Sequence, residues 1–317
     1  MVRAKARWTG VFATAVLAIA LFFGAGQACG QKSVNTTHDK SFWRAIAANK
    51  YQVPPGELRF VLAQELSGYL ASPDPELRDD LAYSILTVWI VRHQQFSPEQ
   101  LVRLGEEWTA NLRDGIGQRG TDSIFKRSFS ALLLSSIAER ELKTPFLGEV
   151  QYRKLLSATL DYLRDEKDLR GFDAVKGWVH STAHTADLLA ALAGNPWFTK
   201  QDQAAALNTI AQRLASAGEV FTYGEQDRLA NVIAAIASRS DFDLEGFKSW
   251  LGDLDSSDQA VWKDSPPKLP GLTRFQNDSY LLRAVVSHVL ARESLGRQPA
   301  PAAVEVQKAV LKSLGRR

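Results

Sequence analysis

Prolines decide where helices can run in this chain. All twelve fall at joints between apolar-periodic stretches: Pro54-Pro55, Pro73 and Pro75, Pro98, Pro145, Pro196, Pro266-Pro267, Pro270, Pro299 and Pro301. Inside a helix a proline removes a backbone donor and its ring clashes with the preceding turn, so the proline-free stretches are those that can form long helices. In them apolar residues recur every three or four positions, which predicts helices over 57–70, 77–92, 122–141, 149–164, 177–193, 200–217, 225–239, 277–292 and 302–314. Another opens at Ser97-Pro98-Glu99-Gln100, where an N-cap serine, a first-turn proline and a third-position glutamine precede Leu101, Leu104 and Trp108. Ser72-Pro73-Asp74 and Asp74-Pro75-Glu76 open 77–92 in the same way, with Leu77, Leu81, Ile85, Val88 and Trp89 on one side.

Alternating apolar and polar runs are nearly absent; 219–223 is the one short β-like piece. The expected fold is therefore all-α: antiparallel helix pairs about 40 residues apart, stacked as an α/α, HEAT-like superhelical domain, without a strict sequence repeat. A 45% hydrophobic content is ample for a core. Residues 31–317 read as one domain, in which 253–271, rich in Ser, Asp and Pro, reads as a long internal connection.

Residues 1–30 have the layout of a signal peptide: Arg3, Lys5 and Arg7, an apolar run from Val11 to Gly24, then Ala25, Gly26, Ala28 and Gly30. The run is short for a bilayer span, which favours cleavage over an uncleaved anchor. Ala28-Cys29 resembles the end of a lipoprotein signal, so Cys29 is a candidate for lipidation, with ordinary cleavage nearby as the alternative. Both place the body outside the cytoplasm, in the periplasm or attached to the cell envelope by the N-terminus alone. Removing the leader takes away three basic residues and no acid, so the net charge of +3 belongs to it and the body is balanced. A neutral body without a basic, aromatic-interleaved stripe argues against nucleic-acid binding. Lys308, Lys312, Arg316 and Arg317 read as favourable charge at a helix C-terminus.

The candidate site is Gly177-Trp178-Val179-His180-Ser181-Thr182-Ala183-His184-Thr185-Ala186-Asp187. On a helix His180, His184 and Asp187 share one face, while Trp178, Leu188, Leu189 and Leu192 take one flank and Ala183, Ala186, Ala190 and Ala193 the other. Such a helix is interior, and its imidazoles and carboxylate need partners or a water-lined cleft.

Three stretches carry a family resemblance: 124–132 (Ile-Phe-Lys-Arg-Ser-Phe-Ser-Ala-Leu), 168–187 with Asp168-Leu169-Arg170-Gly171-Phe172-Asp173 ahead of the histidine motif, and 225–230 (Glu-Gln-Asp-Arg-Leu-Ala). Over roughly residues 50–295 the chain resembles the bacterial domain of unknown function 2785. The resemblance implies an all-helical fold and names no reaction; the leader departs from the many members that look cytoplasmic.

Three readings of the motif remain. His180 and His184 can share a zinc, with Asp187 and with Asp173 or Asp168 from the preceding loop. One ion would strain to reach both His180 and Asp187, about 10 Å apart along the axis, and the His-Glu-x-x-His general base is missing. The second is a buried hydrogen-bond network with Arg127, Arg170 or Arg228. The third is a polar groove on the concave face, where Trp178, Arg170 and the clamps Arg127 and Arg228 grip a small polar or anionic ligand or a protein. His38, His93 and His288 read as surface or satisfied core residues, and Trp89, Trp108 and Trp250 as core. There is no phosphate-cradling glycine loop, no Gly-x-Ser-x-Gly turn and no thiol in the exported body. The expected function is an exported binding or scaffold protein; the competing class is a zinc-dependent hydrolase using the same residues.

Overall fold

The computed structural model describes residues 38–294 and 301–317. The leader, including Cys29, lies outside the described residues, and His38–Arg317 is one compact unit. The helices are α1 (Lys40–Ala48), α2 (Arg59–Tyr69), α3 (running through Glu76–Tyr83, Ser84–Thr87 and Val88–Arg92), α4 (Pro98–Asn111), α5 (Ser123–Lys143) and α6 (Glu149–Asp165). A hairpin of β1 (Phe172–Asp173) and β2 (Gly177–Trp178) precedes α7 (Ser181–Ala193), α8 (Lys200–Ser216), α9 (Glu225–Ala237), α10 (Leu244–Ala260), α11 (Leu269–Ser294) and α12 (Pro301–Leu314). No helix among the described residues is long and apolar enough to cross a membrane.

The fold is all-α, and its helices alternate between two rows. α5 packs on α7, α7 on α9 and α9 on α11; in the other row α6 packs on α8, α8 on α10 and α10 on α12. Between the rows lie fully buried side chains such as Phe125, Leu188, Leu189, Ile233 and Leu281. At α4 the foreseen capping box forms: Ser97 Oγ accepts from the Gln100 amide at 3.3 Å, and Gln100 Oε1 accepts from the Ser97 amide at 3.0 Å.

Three expectations need correction. The stretch 253–271 is not a long connection: α10 runs to Ala260, a short 3-10 turn covers Val261–Lys263, and α11 begins at Leu269 with Pro270 in its first turn, where a missing donor is harmless. The segment 219–223 forms no strand. The helix expected over 177–193 starts late: the strands lie at Phe172–Asp173 and Gly177–Trp178, and α7 begins only at Ser181. Asp173 Oδ1 accepts from the Val175 and Lys176 amides at 2.9 Å each, and Gly177 takes φ +76°, a combination that makes a tight turn.

Arg78 of α3 holds this hairpin down. It is fully buried, donates to the carbonyls of Ser72 at 2.8 Å, Lys176 at 2.7 Å and Trp178 at 3.2 Å, and lies 4.0 and 4.6 Å from the Phe125 and Phe129 ring centres.

Candidate functional site

α7 begins one residue after His180, which adopts a left-handed conformation at φ 48°. The chain leaves the hairpin and must turn to enter the helix, and the Val179 and His180 amides bond back to the Gly171 carbonyl at 2.9 and 3.2 Å. His180 thus caps α7 through its own carbonyl, which accepts from the His184 amide at 2.9 Å. The two imidazoles still meet, with ring centres 5.6 Å apart.

Both rings are buried and engaged. Ser128 of α5 donates its hydroxyl hydrogen to the Val179 carbonyl, so the 2.9 Å contact between Ser128 Oγ and His184 Nδ1 has the imidazole as donor. Burial, reinforced by His180 and Arg228, holds the His184 pKa well below the ordinary 6.5 and keeps the ring neutral. Because Ser128 is itself fully buried and its hydrogen is committed, the pair is not a nucleophile and base. His180 Nε2 donates to the Tyr223 carbonyl at 2.8 Å, and burial lowers its pKa as well. Trp178 stacks on His180 at 4.4 Å and belongs to an exposed aromatic cluster with Phe172 and Tyr223. Gly171 is needed there, since a Cβ at that position would collide with the Tyr223 ring and with Glu225.

The motif therefore divides. His180 and His184 belong to a buried network, whereas Asp187, half-buried, reaches Arg228 on α9, whose Nη1 donates to both carboxylate oxygens at 2.7 and 2.8 Å. Burial raises the Asp187 pKa while Arg228 works against it. These two residues line a groove of about 400 Å³ together with Tyr83 of α3, Glu139 of α5 and Asn231 of α9, and neither histidine is on its walls.

Two residues expected to line the groove, Arg170 and the clamp Arg127, are engaged elsewhere. Arg127 is fully buried against Glu166 at 2.6 Å, and Arg170 binds Asp168 at 2.7 and 2.8 Å. Asp168 also accepts from the Gly120 amide at 2.8 Å, so these residues pin the loop between α6 and β1 and do not face the groove. The expected zinc set is not assembled: Asp173 caps the hairpin turn, Asp187 is paired with Arg228, and among the described residues no three His, Cys, Asp or Glu side chains are grouped to hold a metal ion.

Tyr83, Glu139 and Asn231 were not legible as site residues. The signal was present as stripes: 132, 135, 139 and 142 on α5 and 228, 231 and 235 on α9 follow the three-and-four spacing of one helix face.

A model of the family described as "Protein of unknown function (DUF2785)" matches residues 112–286, more than half of the chain. The chain belongs to the DUF2785 family. No curated protein and no solved structure matches it. The DUF2785 span runs from the end of α4 into α11 and contains the hairpin, both motif histidines, Asp187 and Arg228; Tyr83 lies outside it.

Proposed function

We propose that this protein is an exported, envelope-associated binding protein that holds a small polar ligand with an anionic group in the groove between α3, α5, α7 and α9. The observation that carries the reading is the state of Arg228. Its side chain is 50% exposed and, among the described residues, is engaged by Asp187 through Nη1 alone. Nε and Nη2 remain as a planar fork suited to a carboxylate or phosphate. Glu139 on the facing wall favours a ligand that also carries a cationic or donor group.

Inorganic phosphate, succinate and glutamate are the probes, with the unfolding midpoint as readout. A probe at about 100 times its Kd raises the stability of the wild type by roughly 2.7 kcal/mol and leaves Arg228→Met unmoved. If none of the three shifts the wild type, or the variant shifts equally, the groove is not the site. Export has its own test. The mature protein is expected to begin near residues 29–31, and Cys29, where it leads, to carry a mass increment for acyl chains. Mass spectrometry finding Met1 retained would overturn export by cleavage.

A further inference from the structure

The charges on the walls of the Arg228 groove do not cancel. Two carboxylates, Asp187 and Glu139, stand against one guanidinium, Arg228, and Asp187 already takes Nη1 of that guanidinium. Glu139 is exposed on α5 and makes no ion pair among the described residues. A purely anionic ligand would satisfy the free edge of Arg228, make the groove more negative still and leave Glu139 unmatched. Neutrality needs a ligand that carries one positive charge more than its negative ones.

Where that extra charge belongs follows from the register of α5 and α7. Ser128 meets His184 near the start of both helices, and Leu142 lies against Gly194 at their far ends, so the two run parallel. Glu139, three residues before Leu142, is therefore level with Ala191, four residues past Asp187. At the rise of an α-helix that sets it about 6 Å further along the axis. Between the two carboxylates the floor is Ala190 and Ala191, whose methyl groups leave room for an alkyl stem and bring no charge. Asn231, half-buried on α9 one turn beyond Arg228, makes no side-chain hydrogen bond among the described residues, and its amide can donate to the anion that Arg228 holds.

We propose that the ligand is a basic α-amino acid of the lysine class, with its carboxylate on the Nε–Nη2 edge of Arg228, its α-ammonium on Asp187 and its side-chain cation on Glu139. A lysine side chain carries its charge on a four-carbon stem, which covers the offset between the two acids. The assignment rests on the Arg228 groove being the ligand site and adds the class of ligand that fills it. Its test is calorimetric titration with L-lysine, L-norleucine and L-glutamate; norleucine has the lysine carbon chain without the terminal ammonium, and glutamate puts a negative charge toward Glu139. Lysine is expected to bind one-to-one and tighter than norleucine by about tenfold or more, with glutamate the weakest of the three. In Glu139→Gln, an exchange at an exposed position that leaves the fold intact, the advantage of lysine over norleucine disappears. If norleucine or glutamate binds and lysine binds no tighter, this inference falls while the groove stands as a site for an anionic group. An advantage of lysine that survives Glu139→Gln puts its cation elsewhere and equally overturns the inference. If none of the three binds, the inference falls, and the phosphate and succinate probes decide whether the groove falls with it.

Discussion

Arg127→Met is expected to lower stability by about 3–5 kcal/mol, because it leaves the Glu166 carboxylate buried without its counter-charge. Arg127 and Glu166 are both almost wholly inaccessible, and two contacts join them, Nε to Oε2 at 2.6 Å and Nη2 to Oε1 at 3.3 Å. The remaining donors are used as well: Nη1 bonds the Asp114 carbonyl at 2.7 Å, the Ser123 carbonyl at 3.2 Å and Ser123 Oγ at 3.1 Å. Glu166 in turn accepts from the amides of Lys167 at 2.8 Å and Asp168 at 2.9 Å, which sets the course of the chain toward the hairpin and His180. Methionine keeps much of the volume and none of the donors. Combining Arg127→Met with Glu166→Gln is expected to restore about half of the loss or more, since the orphaned charge disappears along with the cation. Urea unfolding of the two single variants and the double variant measures this. A single-variant loss under about 1 kcal/mol would mean that the pair is solvated.

Asp278→Asn is expected to do the opposite and stabilise the protein at neutral pH. Asp278 lies on α11 with no exposed surface, and neither of its carboxylate oxygens meets a donor among the described residues. Burial, then the neighbouring Asp258 carboxyl, pushes its pKa up to about 8, while Arg317 and Arg274 pull the other way. Below that pH the protonated acid can itself donate to Asp258, which burial also shifts upward. The unfolded chain ionises near 3.8, so the folded value is the raised one. Stability from this group is full below 3.8 and is lost as pH rises toward 8, at up to about 1.4 kcal/mol per pH unit. Asparagine carries its donor at every pH. Variant and wild type should therefore lie close together near pH 4, with the variant ahead by about 2–4 kcal/mol at pH 7. A gap that does not change between those two values would show that Asp278 does not titrate in the window.

The misreading of 253–271 follows from the same network. Ser256, Ser257 and Asp258 are weak helix formers, and by composition they read as a joint. In the folded chain Asp258 is buried against Arg317 and Asp255 bonds Ser313 of α12, so partners about 60 residues away support a helix that local propensity does not. Ser97 to Gln100 shows the opposite case. That capping box needs only four neighbouring residues, and it formed as read.

The histidine motif falls between these cases. Periodicity placed His180 on a helix with His184 and Asp187, and the rings do meet, yet His180 stands in a left-handed turn that the spacing could not reveal. Hairpin, turn and helix start form within a dozen residues because Arg78, about 100 positions earlier, pins the Lys176 and Trp178 carbonyls. The division of the trio was equally out of reach. Whether a polar side chain faces a cavity or a neighbouring hydroxyl depends on which helix lies beside it, and the neighbours of α7 here come from α5, which carries Ser128 and Glu139, and from α9, which carries Arg228, both distant from the motif in sequence.

From its residues alone the chain determines that it is helical, where most helices start and stop, and which short segment gathers titratable groups, because caps, prolines and apolar spacing act over one or two turns. Only tertiary packing decided that the two histidines are sealed in, that Arg127 and Arg170 brace a loop, and that Arg228 keeps half of its surface in water. Burial and charge pairing are set by through-space neighbours, and a linear pattern carries no record of which distant helix those neighbours will come from.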